Sequence, residues 1–132
     1  LAGSWQASRD DVSLEINCRW VDNNQFLERT HTITRAGEVI STGRQIMGVD
    51  PATGMIGSWS FNSDGSRSRG VWTPHEQGWY VESVGFMADG TPTAATYTLT
   101  IKDDNTLLWE SDGRMVGSAD LPDTAEITLS RK

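Results

Sequence analysis

Three polar side chains in two neighbouring stretches could orient an anion: Arg29 in 25–35, and Arg44 and Gln45 in 38–49. Both stretches are rich in Thr, Ile and Val. Asp22-Asn23-Asn24, Ala36-Gly37 and Asp50-Pro51 bound them, so they read as strands joined by turns. Alternate residues of a strand share a face. Arg29 and His31 therefore travel with Leu27 and Ile33, and if those two face inward the arginine does too. A buried guanidinium needs a counter-charge, because an unpaired charge is costly to desolvate. Glu28 points to the opposite face and cannot supply it. Glu82 or Glu110 across the sheet would make a structural ion pair; a ligand carboxylate gripped by Arg29 or Arg44 would make a binding site. A solvated face is the third reading, and the sequence leaves the three open.

Six tryptophans, Trp5, Trp20, Trp59, Trp72, Trp79 and Trp109, are many for 132 residues. On the structural reading each fills core volume or covers an end of the sheet, with its indole N–H bonded to a nearby acceptor. On the functional reading Trp59, Trp72 and Trp109, with Tyr97, line a pocket for a flat apolar ligand whose polar end Arg29, Arg44 and Gln45 orient.

The other reactive types offer less. His31 and His75 are the only histidines, and no CxxC, HxH or HExxH occurs, so no metal site and no cofactor are expected. Cys18 alternates with Leu14, Ile16 and Trp20 on an apolar face, as a buried inert thiol does. Asp10-Asp11, Asp103-Asp104, Asp120 and Asp123 read as turn carboxylates, and EF-hand spacing is absent. No base, nucleophile and orienting group stand together, so an enzyme of unidentified class ranks last among the function classes. A net charge of -7 and a pI of about 4.6 argue against nucleic acid and against an anionic membrane surface. No apolar run approaches the roughly 20 residues that span a bilayer. The start at Leu1, without Met, suits a mature product or a domain cut from a longer protein, and leaves both cytoplasmic and exported locations open.

The elements that would position these groups follow from period-two patterning. The stretch 45–65 ends one strand at Val49, turns at Asp50-Pro51-Ala52-Thr53-Gly54, runs through 55–61 and turns again at Asn62-Ser63-Asp64-Gly65. The same grammar gives strands at 12–21, 25–35, 38–49, 67–73, 79–86, 93–101, 107–111 and 125–131, with a short one opening at Gly3-Ser4-Trp5. A polar link fills 116–124, and Pro74-His75 falls in a turn. That makes about ten strands and no helix. Closure into a barrel removes the edges that such a meander would expose. Gly43, Gly48, Gly57, Gly70 and Gly85 inside strands suit the bends closure needs.

Gly3-Ser4-Trp5 resembles the Gly-x-Trp of the first strand of lipocalins and their calycin relatives. Phe26-Leu27-x-Arg29, Gly43-x-Gln45-x-x-Gly48-x-Asp50-Pro51, Ser58-Trp59-x-Phe61-x-Ser63-Asp64-Gly65, Gly70-x-Trp72-Thr73, Trp109-x-Ser111, Leu121-Pro122-Asp123 and the terminal Arg131-Lys132 extend the likeness. Together they resemble a bacterial family of lipocalin-like β-barrel domains of little-known function, similar to modules found next to SnoaL-like cone domains. The resemblance covers nearly the whole chain and implies a fold more than an activity. The C-terminal helix of lipocalin transporters has no counterpart in the pattern.

The expectation is therefore an all-β, single-domain, antiparallel up-and-down barrel over 1–132. Its leading function is non-enzymatic binding of a small hydrophobic or amphipathic molecule inside. The alternative is an accessory module whose outer face packs on a neighbouring domain or a second copy.

Overall fold

The computed structural model describes residues 1–122 and 124–132. Strands β1 (Gly3–Arg9), β2 (Val12–Val21), β3 (Phe26–Arg35), β4 (Glu38–Val49), β5 (Ile56–Asn62), β6 (Arg67–His75), β7 (Gly78–Phe86) and β8 (Pro92–Asp103) pair in sequence order, each antiparallel to the next. β9 (Thr106–Val116) pairs with β8 on one side and β11 (Thr124–Arg131) on the other, and β11 pairs with β1. The sheet is thus a closed, lipocalin-like up-and-down barrel of 10 strands. The two-residue β10 (Ala119–Asp120) folds back on the end of β9. Among the described residues no helix is long and apolar enough to cross a membrane.

The tight turns adopt a left-handed backbone, at Asp22, Asn23 and Asn24 between β2 and β3 and at Ala36-Gly37 between β3 and β4, a conformation that Asp, Asn and Gly tolerate and Ala36 adopts beside Gly37. The seam where the barrel closes is short, with Trp5 opposite Arg131 and Gln6 opposite Ser130. Arg131 staples it. Its Nη1 donates to the Ala2 carbonyl at 2.8 Å, its Nε donates to the Asp104 carbonyl at 2.8 Å, and its guanidinium lies 4.2 Å over the Trp5 ring. Gly3 has φ near 122°, which favours glycine, and a Cβ there would displace the Arg131 guanidinium from its place in the staple. Gly-x-Trp and the terminal arginine are one assembly.

Inward positions of successive strands build the core: Trp5, Ile16, Cys18, Leu27, Met47, Trp72, Val81, Leu99, Leu107 and Leu129 are buried together. Trp79, Tyr97, Trp109 and Ile127 pack against them. Two indoles depart from the expectation of burial. Trp20 keeps the parity of Cys18, but β1 ends opposite Cys18 at Gly3, so nothing on that side covers it. Trp59 has the opposite parity to the buried Ser58 and faces outward, 46% exposed. Strand ends differ too. β6 continues through Pro74 to His75, β9 runs to Val116, and β10 lies in the expected link. Asp123, read as a turn carboxylate and as part of Leu121-Pro122-Asp123, lies outside the described residues.

Candidate functional site: a half-filled barrel

Beyond Ile16, Trp72, Val81 and Leu129 the apolar core stops, and a cavity of about 400 Å³ opens among the inward side chains. The cause is side-chain size. The inward residues of β4 to β7 here are Gly43, Gln45, Ser58, Ser60, Asn62, Ser68, Gly70 and Ser83, too small as a group to meet across a barrel. Gly43 leaves room for its neighbours. A Cβ there would collide with the His31 ring and with Asn62 Oδ1 at 2.6 Å, because both side chains fold over it.

Strand register assembles the polar part. Arg29 on β3 lies opposite Gln45 on β4, which lies opposite Ser60 on β5, which lies opposite Ser68 on β6. Gln45 Nε2 donates to Ser60 Oγ at 2.9 Å, and Arg29 Nη1 makes a long 3.4 Å contact with Gln45 Oε1. Trp72 Nε1 donates to Ser58 Oγ at 3.0 Å. The Arg29 guanidinium lies 5.0 Å from the centre of the Trp109 ring, and Tyr97 stacks on the same indole at 5.1 Å and 26°. Trp72 stands 6.3 Å from Trp109. Facing the serines, Leu14, Ile16, Ile33, Ile127 and Leu129 form an aliphatic wall.

Arg29 has no carboxylate partner among the described residues. The ion pairs run from Glu28 to Arg19 and Arg44, and from Glu15 to Lys132. Glu82 and Glu110, the partners expected from sequence, are exposed on the outer face, because their parity is opposite to that of Val81 and Trp109. Among the described residues no Asp or Glu lines the cavity. Burial pushes the Arg29 pKa down from its ordinary value, yet a guanidinium stays charged in proteins. Burial, and secondarily the Arg29 charge, also lower the His31 pKa, so the imidazole beside it is neutral at pH 7. Burial raises the Tyr97 phenol and the Cys18 thiol, the latter partly offset by Arg29. Cys18 is buried and protonated, as an inert thiol should be.

Of the residues singled out by sequence, Arg29, Gln45, Trp72, Tyr97 and Trp109 meet around this cavity. Trp59 does not. Arg44 reaches the cavity wall only along the strand; its side chain has the outward parity of Phe61, and its Nε lies 3.4 Å from Glu28 Oε2. The polar wall of Ser58, Ser60, Asn62, Ser68 and Ser83 escaped the sequence reading. Its signal was present: the turn after Asn62 sets Phe61 opposite Arg67 and Trp59 opposite Arg69, so the aromatic parity of β5 is the arginine parity of β6. Among the described residues no group of three or more His, Cys, Asp or Glu could hold a metal.

The outer face that receives Trp59 carries its own pattern. One row across β4 to β7 reads Arg44, Phe61, Arg67, Phe86, and the next reads Ile46, Trp59, Arg69, Val84. Phe61 and Phe86 are about half exposed, at 51% and 53%. Neither a family model nor a curated protein matches this chain.

Proposed function

We propose that the barrel binds a small amphipathic anion in its interior, with a carboxylate on Arg29 and an apolar body against the aromatic and aliphatic walls. The observation that carries this is Arg29 itself, a half-buried cation on the wall of a cavity that among the described residues has no acidic side chain in its lining. A fold element with no ligand would gain by replacing that arginine with a hydrophobe. The cavity volume falls within the range of small-molecule sites. The test is one substitution with two readouts of opposite sign. In Arg29→Met, affinity for an aromatic carboxylate, followed by tryptophan fluorescence, falls by about 10- to 100-fold, the worth of a charge-assisted hydrogen bond. Stability to urea stays level or rises by about 1 kcal/mol, since a desolvated charge is gone. Undiminished carboxylate affinity in the variant would remove Arg29 from the site.

A second reading is favoured by the outer face. Exposed aromatics interleaved with arginines match the composition of protein interfaces. Arg67 and Arg69 occupy the first outward rows of β6 and Glu82 the next row, at the middle of β7, so a twofold axis between these rows brings arginine of one copy onto Glu82 of the next. On this reading two copies pack through β5 to β7. Sedimentation velocity from about 1 to 100 µM then gives a dimer that Phe86→Glu dissociates; a monomer across that range excludes it.

A further inference from the structure

Resting on the interior-anion reading, we infer that the natural occupant is amphipathic across its width and not along its length: a rigid ring acid with hydroxyl or carbonyl oxygens on one edge and hydrocarbon on the other. A cavity built for a fatty acid has one polar end and apolar walls. Here the polarity is divided side to side. Gln45, Ser58, Ser60, Ser68 and Ser83 project from β4 to β7, while Leu14, Ile16, Ile33, Ile127 and Leu129 project from β2, β3 and β11 on the facing side. Arg29 stands at the junction, in register with the polar row.

The hydrogen-bond state of the polar wall supports this division. Ser60 Oγ already accepts from Gln45, and Ser58 Oγ already accepts from Trp72, so each keeps its own hydroxyl proton to donate. Ser68 and Ser83 add two more hydroxyls to the same surface. A hydrocarbon chain laid along this wall would cover them without giving them partners, and an unsatisfied buried hydroxyl is costly. An oxygenated edge answers several at once. A rigid ring keeps that edge and the opposite hydrocarbon edge in fixed relation, so little ordering entropy is lost on binding. The flat surfaces of Trp72, Trp109 and Tyr97 suit a ring. The charge is a single carboxylate, because among the described residues Arg29 is the one arginine or lysine whose side chain turns into the cavity, Arg44 turning outward to Glu28, and the His31 imidazole is held neutral at pH 7.

Three probes separate this inference from the reading beneath it, using isothermal titration calorimetry on the intact chain: a dihydroxyanthraquinone carboxylate, an anthracene carboxylate of the same outline without the oxygens, and palmitate. The oxygenated acid is expected to bind at least about tenfold more tightly than either other probe, the worth of one well-made hydrogen bond. In the Ser60→Ala, Ser83→Ala pair that preference over anthracene carboxylate narrows to about twofold or less, with folding checked by circular dichroism. If anthracene carboxylate or palmitate binds as tightly as the oxygenated acid, or the preference survives the serine substitutions, this inference is overturned while the interior-anion reading stands. If none of the three binds, both fall.

Discussion

At the scale of single residues, Arg29 and His31 are adjacent inward positions of β3 and shape each other's ionisation. Desolvation, then the Arg29 charge, hold the native His31 pKa below the 6.5 of a free imidazole. In the window from about 6.5 down to that lower value the unfolded chain binds a proton that the native chain does not. Stability is therefore intact above about pH 6.5 and falls as pH drops through the window, by at most about 1.4 kcal/mol per pH unit, then levels off from this source. Asp64 and Asp89, held below their ordinary value by hydrogen bonds centred on Ser66 and Thr91, lose their contributions only at lower pH, below about 3.8. His31→Gln should thus flatten the urea-derived stability profile just below about pH 6.5 and leave the acid limb of the carboxylates in place. A profile identical to that of the parent chain would mean that the imidazole is solvated. Arg29→Met is expected to move the His31 titration upward, since the second cause of its depression disappears.

At the scale of elements, what could be read from the chain and what could not have separate physical causes. Strands announced themselves wherever one face is buried and the other wet. In β2, Leu14, Ile16 and Cys18 alternate with Ser13, Glu15 and Asn17, and the structure keeps that division. Turns with Asn, Asp and Gly were equally plain. Parity in β5 cannot be taken from its own residues, because the usual rule would send Trp59 and Phe61 inward and the serines out, the reverse of what the structure has. Here the inward face lines a cavity, so it has no need of bulk, and the outward face carries the aromatics. Only the cross-strand register, which puts Trp59 opposite Arg69, breaks that tie. The same ambiguity hid the facing of Arg44. Its neighbour Gln45 pairs with Arg29, so Arg44 turns outward to Glu28. The Trp5–Arg131 staple joins the two ends of the chain, and no local pattern could link residues that far apart.

At the scale of the whole molecule, the interior divides into a packed part and a hollow part, and the two should answer substitution in opposite ways. Leu99 is 2% exposed within the core cluster, so Leu99→Ala leaves a void and should cost about 2–5 kcal/mol of stability. Ser83 faces the cavity from β7, where added volume meets space. Ser83→Leu should therefore leave stability unchanged or raise it by about 1 kcal/mol through new apolar burial, in a position where a packed core would be overfilled and lose 1–3 kcal/mol. The same leucine covers part of the oxygen-bearing wall, so affinity for an aromatic carboxylate drops by at least about tenfold although the protein is no less stable. Urea unfolding and calorimetric titration on the two variants measure both halves of this contrast. Destabilisation of Ser83→Leu comparable to that of Leu99→Ala would mean that the barrel is filled throughout, and a filled barrel has no room for the anion that Arg29 is placed to hold.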